Sequence, residues 1–113
     1  MKSKIIALSK NEEFKNLLKQ NKISNKYVTI YFGKIINKNK KKLNISFVTK
    51  RKIGNAVKRN KIKRRLKNIV NDAVKNIALK FDYSYLVIAK PTMLNKEYTI
   101  IKETLFRDLE RIN

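Results

Sequence analysis

A periodic apolar stripe and a run of cations share one stretch of this sequence, and together they constrain its fold more than any other feature. From Asn55 onward, Ile62, Leu66, Ile69, Val70, Ala73 and Ile77 fall at the spacing of a helix that packs one side on a core. Of the 18 residues from Lys50 to Lys67, ten are Lys or Arg and none is acidic. At about 100° per residue, Arg64 and Lys67 head away from the stripe, with Asn60, Lys61 and Lys63 on its flanks. Arg59 shares the heading of the stripe, but its place in the first turn lets it reach past the edge of a sheet. The chain must therefore bury one side of this helix while the other side stays cationic.

A charge run is ordinarily a solvated helix face, and such faces mix signs so that Glu and Lys pair at i, i+4. Here no Asp or Glu occurs between Phe14 and Asn71, and the whole chain carries 29 Lys and Arg against 8 Asp and Glu, a net charge of +21. Uncompensated charge on that scale repels itself and destabilises the folded state unless a polyanion is the partner. A hydrophobic content of 42% in 113 residues is too high for a disordered basic tail, so a single folded domain spanning residues 1–113 is expected. Nucleic acid is the leading partner and an anionic membrane surface the second.

Cys and His are both absent, which removes disulfides, thiolate metal sites and the usual general base near neutral pH. The eight acids sit mostly where a helix start or an i, i+4 pair would use them. No catalytic or metal-binding constellation is visible. The longest apolar runs are too short to span a bilayer, and the opening Met1–Phe14 stretch lacks a signal-peptide core, so a cytoplasmic location is expected.

Taken in order, Ser9 and Glu12 read as a capping box before a short helix ending near Gln20, with Phe14, Leu17 and Leu18 on its apolar face. A loop over 21–26 leads to a strand from Tyr27 to Ile36. Val28, Ile30 and Phe32 take its core face, and Tyr27, Thr29 and Tyr31 the other. Leu43 to Thr49 is expected to return as the second arm of a hairpin. Gly54 turns the chain, Asn55 caps the long helix from about Ala56 to Leu79, and Tyr85 to Ala89 forms a compact strand stopped by Lys90-Pro91. Asn95 is expected to cap a last helix, to about Ile112, whose buried stripe is Tyr98, Ile101, Leu105, Leu109 and Ile112. The order is α-β-β-α-β-α, an α+β chain with a small sheet covered by helices.

Three segments carry a family resemblance: Val48-Thr49-Lys50-Arg51, Ile53-Gly54-Asn55-Ala56-Val57, and Arg59-Asn60-Lys61-Ile62-Lys63-Arg64. They closely resemble the signature of the protein subunit of bacterial ribonuclease P: a Val-Ser-Lys-Lys-like strand end, a Gly-x-Ala-Val turn, and Arg-Asn-Arg-x-Lys-Arg opening a helix. Leu8-Ser9-Lys10-Asn11-Glu12-Glu13-Phe14 is similar to that family's first-helix start, and length, charge and element order agree along the chain. There are departures. Lys61 stands where the family usually has Arg, which keeps the charge and loses the planar fork. Leu18 stands where a second aromatic is common, one residue is added between Lys50 and Arg59, and the usual strand glycine near Ile45 is missing.

The resemblance implies an α-β sandwich with a small mixed sheet and a left-handed β-α-β crossover, against the general right-handed rule. It implies a protein that is inactive alone and serves a catalytic RNA subunit, which with bound Mg2+ hydrolyses the phosphodiester joining the 5′ leader to mature tRNA. On that basis Lys50, Arg51, Lys52, Lys58, Arg59, Asn60, Lys61, Lys63, Arg64 and Lys67 are the expected RNA-binding residues. Phe14, Leu18, Tyr27 and Tyr31 are the expected leader groove, and no residue is catalytic or a metal ligand. The implied partners are the RNA subunit and precursor tRNA, with one protein monomer per RNA and Mg2+ held mainly by RNA. A ribosomal component of similar fold would share the charge and architecture but not the Lys50–Arg64 pattern. A membrane-surface helix would need the apolar stripe that the sheet already requires.

Overall fold

The computed structural model describes residues 5–6, 11–34, 43–77, 79 and 83–112. In chain order the elements are β1 (Ile5–Ile6), α1 (Asn11–Leu18), β2 (Asn21–Ser24), β3 (Val28–Lys34), β4 (Leu43–Val48), α2 (Ala56–Asn76), β5 (Tyr83–Ala89) and α3 (Tyr98–Ile112), with short 3-10 turns at Arg51–Ile53 and Pro91–Leu94. The strands form one mixed sheet in the order β1-β4-β5-β3-β2. β4 and β5 are parallel neighbours, so their connection through α2 is a crossover, while β3 runs antiparallel to both β5 and β2.

This order corrects the expected hairpin. β3 and β4 are not paired, because β5 lies between them. The reason is burial: Ser84, Tyr85, Leu86 and Val87 are buried in succession, so β5 has apolar neighbours on both faces and takes the centre of the sheet, where both edges can pair. The true hairpin is β2–β3, formed where a loop was expected. Its turn is fixed by Asn25, whose Oδ1 accepts from the backbone N–H groups of Tyr27 and Val28 at 2.7 and 2.9 Å, an Asx turn.

Tyr27 belongs to that turn and not to the strand, so it escapes the alternation of β3 and sits in the main core at 5% exposure. The long helix ends at Asn76, earlier than expected, and Ile77 is already extended while its N–H still reaches the Ala73 carbonyl. Asn95 does not cap α3. It ends the 3-10 turn, and the Glu97 carbonyl takes the first helical bond from Ile101. The Ser9 capping position and the expected strand end at Ile36 lie outside the described residues.

α2 and α3 cover one face of the sheet. Ile62, Leu66, Ile69, Val70 and Ala73 from α2, with Ile101, Leu105 and Leu109 from α3, meet Val28, Ile30, Leu43, Ile45, Tyr85 and Val87 in a single cluster. On the opposite face the cluster is smaller: Leu17 of α1 and Leu86, flanked by Tyr31, Val48 and Ile88. Gly33 permits the close approach of the α1 end, since a Cβ there would come within 2.4 Å of the Gln20 Oε1.

Candidate nucleic-acid interface

β4 runs straight into the basic stretch. Val48 is its last residue, Lys50 is extended, and Arg51–Ile53 make one 3-10 turn that buries Ile53 and leaves Arg51 and Lys52 exposed. Gly54 follows at φ +153° and ψ −165°, a region essentially closed to other residues. It also gives space. A Cβ on Gly54 would lie 2.8 Å from Lys58 Cδ, so the stem of Lys58 lies folded back over the glycine. Asn55 then caps α2, its Oδ1 accepting from the Lys58 N–H at 3.0 Å.

The cap turns the helix so that its apolar stripe meets the sheet and the cations stay outside. Lys58, Asn60, Lys61, Lys63, Arg64 and Lys67 are all exposed, and Lys50, Arg51 and Lys52 precede them at the same end of the helix. The expected RNA-binding residues thus run from the turn before α2 along the first half of that helix. Arg59 is the exception in burial. It is half-buried, and its Nε is enclosed with no hydrogen-bond partner among the described residues.

The electrostatics of this end are lopsided. The first turn of α2 holds no acid, although the helix macrodipole makes that end positive and favours an anion there. Among the described residues the ion pairs are Lys102–Asp72 and Arg111–Asp108, neither of them in the basic stretch. Its exposed polar side chains are Lys, Arg and Asn, a set that can hold phosphates.

The other expected site divides. Tyr31 is half-buried on the sheet face under α1, between Lys22 of β2 and Leu86 of β5 in the pairing register. Leu18 is 49% exposed, whereas its neighbour Leu17 is the residue that docks on the sheet. Tyr27, in the core on the opposite side, is not part of this face. Phe14 lies in α1, and its side chain is outside the described residues. Sequence reasoning missed Val48 and Ile88, which extend the same face toward the basic turn. The alternation of β4 and β5 was the available signal.

Comparison with known proteins gives a consistent result. The family model described as Ribonuclease P matches residues 3–113. The ribonuclease P protein component of Carboxydothermus hydrogenoformans is 36% identical over 102 residues, covering 87% of this chain and 83% of that protein. The Mesoplasma florum component is 34% identical over 99 residues, with coverage of 87% and 86%. Among solved structures, the RNase P protein from Thermotoga maritima shares the fold with a TM-score of 0.79 at 24% identity, covering 96% of this chain and 98% of that one. The Staphylococcus aureus RNase P protein superposes with a TM-score of 0.69 at 27% identity, over 94% and 93% of the two chains.

Proposed function

The chain belongs to the ribonuclease P protein family, the protein component of a ribonucleoprotein endoribonuclease, and from that premise we propose how its surfaces divide the work. The start of α2 binds the catalytic RNA subunit through phosphates, and the sheet face under α1 receives the single-stranded 5′ leader of precursor tRNA. The observation that carries the first assignment is a cationic helix start with no acid in its first turn, where Lys58, Lys61, Lys63, Arg64 and Lys67 are all exposed. Phosphate contacts position a protein without reading sequence, and RNA recognised by shape needs no base code in the helix.

For the leader, Tyr31 offers a ring at the edge of a small apolar patch with Lys22 beside it in register, a combination suited to stacking a base while a cation holds its phosphate. Tyr27, placed in the core, is left out of the groove. The donor set does not suit a magnesium ion held by protein: among the described residues no three acidic side chains gather. Mg2+ is proposed to be held by the RNA, as the family resemblance implies, where it would supply the metal-assisted hydrolysis. The protein's part is binding and orientation, as one monomer per RNA in the cytoplasm, where precursor tRNA is processed. No helix among the described residues is long and apolar enough to cross a membrane.

Reconstitution tests this reading. The protein mixed with its cognate RNA should cleave precursor tRNA at the mature 5′ end at magnesium concentrations where the RNA alone is slow. The refolded protein without RNA should cleave nothing, and specific cleavage by it would overturn the proposal.

A further inference from the structure

Val57 is 75% exposed, well beyond Leu18 at 49% and Ile100 at 42%, the other large apolar side chains open to solvent among the described residues. Single exposed apolar residues are common and ordinarily need no explanation. Three observations set this one apart. It belongs to neither apolar cluster, so the core does not use it. It is β-branched on a solvent-facing helix position, where Ala would be better for the helix. Its position is also the centre of the cationic face: at about 100° per residue it projects between the headings of Arg64 and Lys61, directly opposite the Ile62–Leu66–Ile69 stripe. Ala56, before it, is exposed too.

An apolar spot ringed by cations has the anatomy of a binding surface with a dry centre and a charged rim. Resting on the reading of α2 as the RNA-subunit surface, we infer that Val57 packs against ribose and base edges of that RNA while the surrounding cations hold its phosphates. A-form RNA suits this contact, because its shallow minor groove presents sugars and base edges to a protruding side chain. The contact would contribute what phosphate contacts lack: short-range registration of the helix on the groove that does not weaken with salt.

The test measures affinity of the intact protein for its cognate RNA subunit across a salt series, alongside melting temperature. Val57→Ala should weaken binding by about fourfold to fifteenfold, the loss of one to two buried methyl-sized groups, equally at every salt concentration. The slope of log affinity against log salt should not change, and the melting temperature should hold or rise. Val57→Lys sharpens the point, since a purely electrostatic surface would bind tighter with a further cation, whereas a packed Val57 predicts weaker binding. Unchanged affinity in Val57→Ala, or tighter binding in Val57→Lys, overturns the inference. Lys63→Ala in the same series separates the two readings. A reduced slope there with a silent Val57 sinks this inference alone, and an unchanged slope sinks the RNA-surface assignment with it.

Discussion

α2 and α3 lie against the same face of the same sheet and feed the same core, yet their outer surfaces obey opposite rules. α3 mixes signs on its outer side, where Lys102, Glu103, Arg107, Glu110 and Arg111 lie, while the buried Asp108 accepts from the Asn25 amide at 2.6 Å and stands 3.9 Å from Arg111. α2 carries cations from Lys58 to Lys67 without one acid, and its single carboxylate, Asp72, is engaged by Lys102 of α3 at 2.9 Å. Since packing is alike in both, folding cannot account for the difference. α3 carries the mixed charge of an ordinary solvated helix face, and on the proposed reading the excess charge of α2 serves a polyanion.

The harshest way to break the comparison is through the shared core. Leu66 is fully buried in the α2 stripe, and Leu66→Ala should cost about 2–5 kcal/mol of stability. RNA binding should then fall only as far as unfolding accounts for it, recovering at temperatures where the variant is folded. A binding loss that persists in fully folded protein would mean that the inner face of α2 is not a purely structural surface.

The sheet face under α1 is the intermediate case, because there one residue packs and, on the proposed reading, also binds. Tyr31 is half-buried beside Leu17 and Leu86. Tyr31→Leu keeps apolar bulk while removing the ring, so it should lower affinity for precursor tRNA by about 1–3 kcal/mol and leave mature tRNA binding unchanged. Affinities for long and trimmed leaders decide this. A loss independent of leader length would take Tyr31 out of the groove.

The contrast between the helices is tested on their outer faces. Lys63→Ala and Arg64→Ala should each weaken RNA binding by about 1 kcal/mol and reduce the salt slope by about 0.7–0.9, with melting temperature unchanged or raised as like-charge repulsion is relieved. Arg107→Ala on α3 should change neither slope nor affinity. Equal slopes lost on both helices would mean that the protein binds by diffuse charge, and the asymmetry between α2 and α3 would lose its meaning.

How much of this was legible in the sequence depended on whether an element carries its own period. α2 was readable in full at its start, because the stripe, the Asn55 cap and Gly54 are local signals that agree. The sheet order was not. Nothing in Tyr27–Ile36 or Leu43–Thr49 says that a strand some forty residues later will separate them; only the two-faced burial of β5 shows it. β2 hid because Asn-Lys-Ile-Ser is polar and pairs on one edge only, with β3 as its neighbour. Tyr27 was misplaced because alternation was extended one residue past the Asx turn at Asn25, and α3 began late because the 3-10 turn after Pro91 used the residues that resembled its cap. Of the site, the cations could be read from composition and helical phase. The unpaired Arg59 Nε, the fold of Lys58 over Gly54 and the exposure of Val57 depend on how the turn meets the sheet.

The smallest effect lies where the two helices touch. Lys102 is held above the ordinary lysine range, chiefly by its hydrogen bond to Asp72, with the Asp72 charge adding to the effect against some desolvation. A lysine whose folded value is raised contributes stability that is fully present below its unfolded value, about 10.4, and that is lost as the pH rises through the folded one. The contribution of the pair should therefore be constant between pH 6 and 9, and its pH dependence should be confined to the alkaline limb. Lys102→Met keeps the aliphatic stem packed near Phe106, whose ring centroid is 5.5 Å from Nζ, while removing the charge. Thermal melts of both proteins from pH 7 to 11.5 should differ by a small offset at neutral pH that closes above pH 10.5, with RNA affinity at pH 7.5 the same in both. A gap that stays open at the alkaline end would assign the role of Lys102 to packing, and a loss of RNA affinity would place α3 on the RNA surface that the comparison reserves for α2.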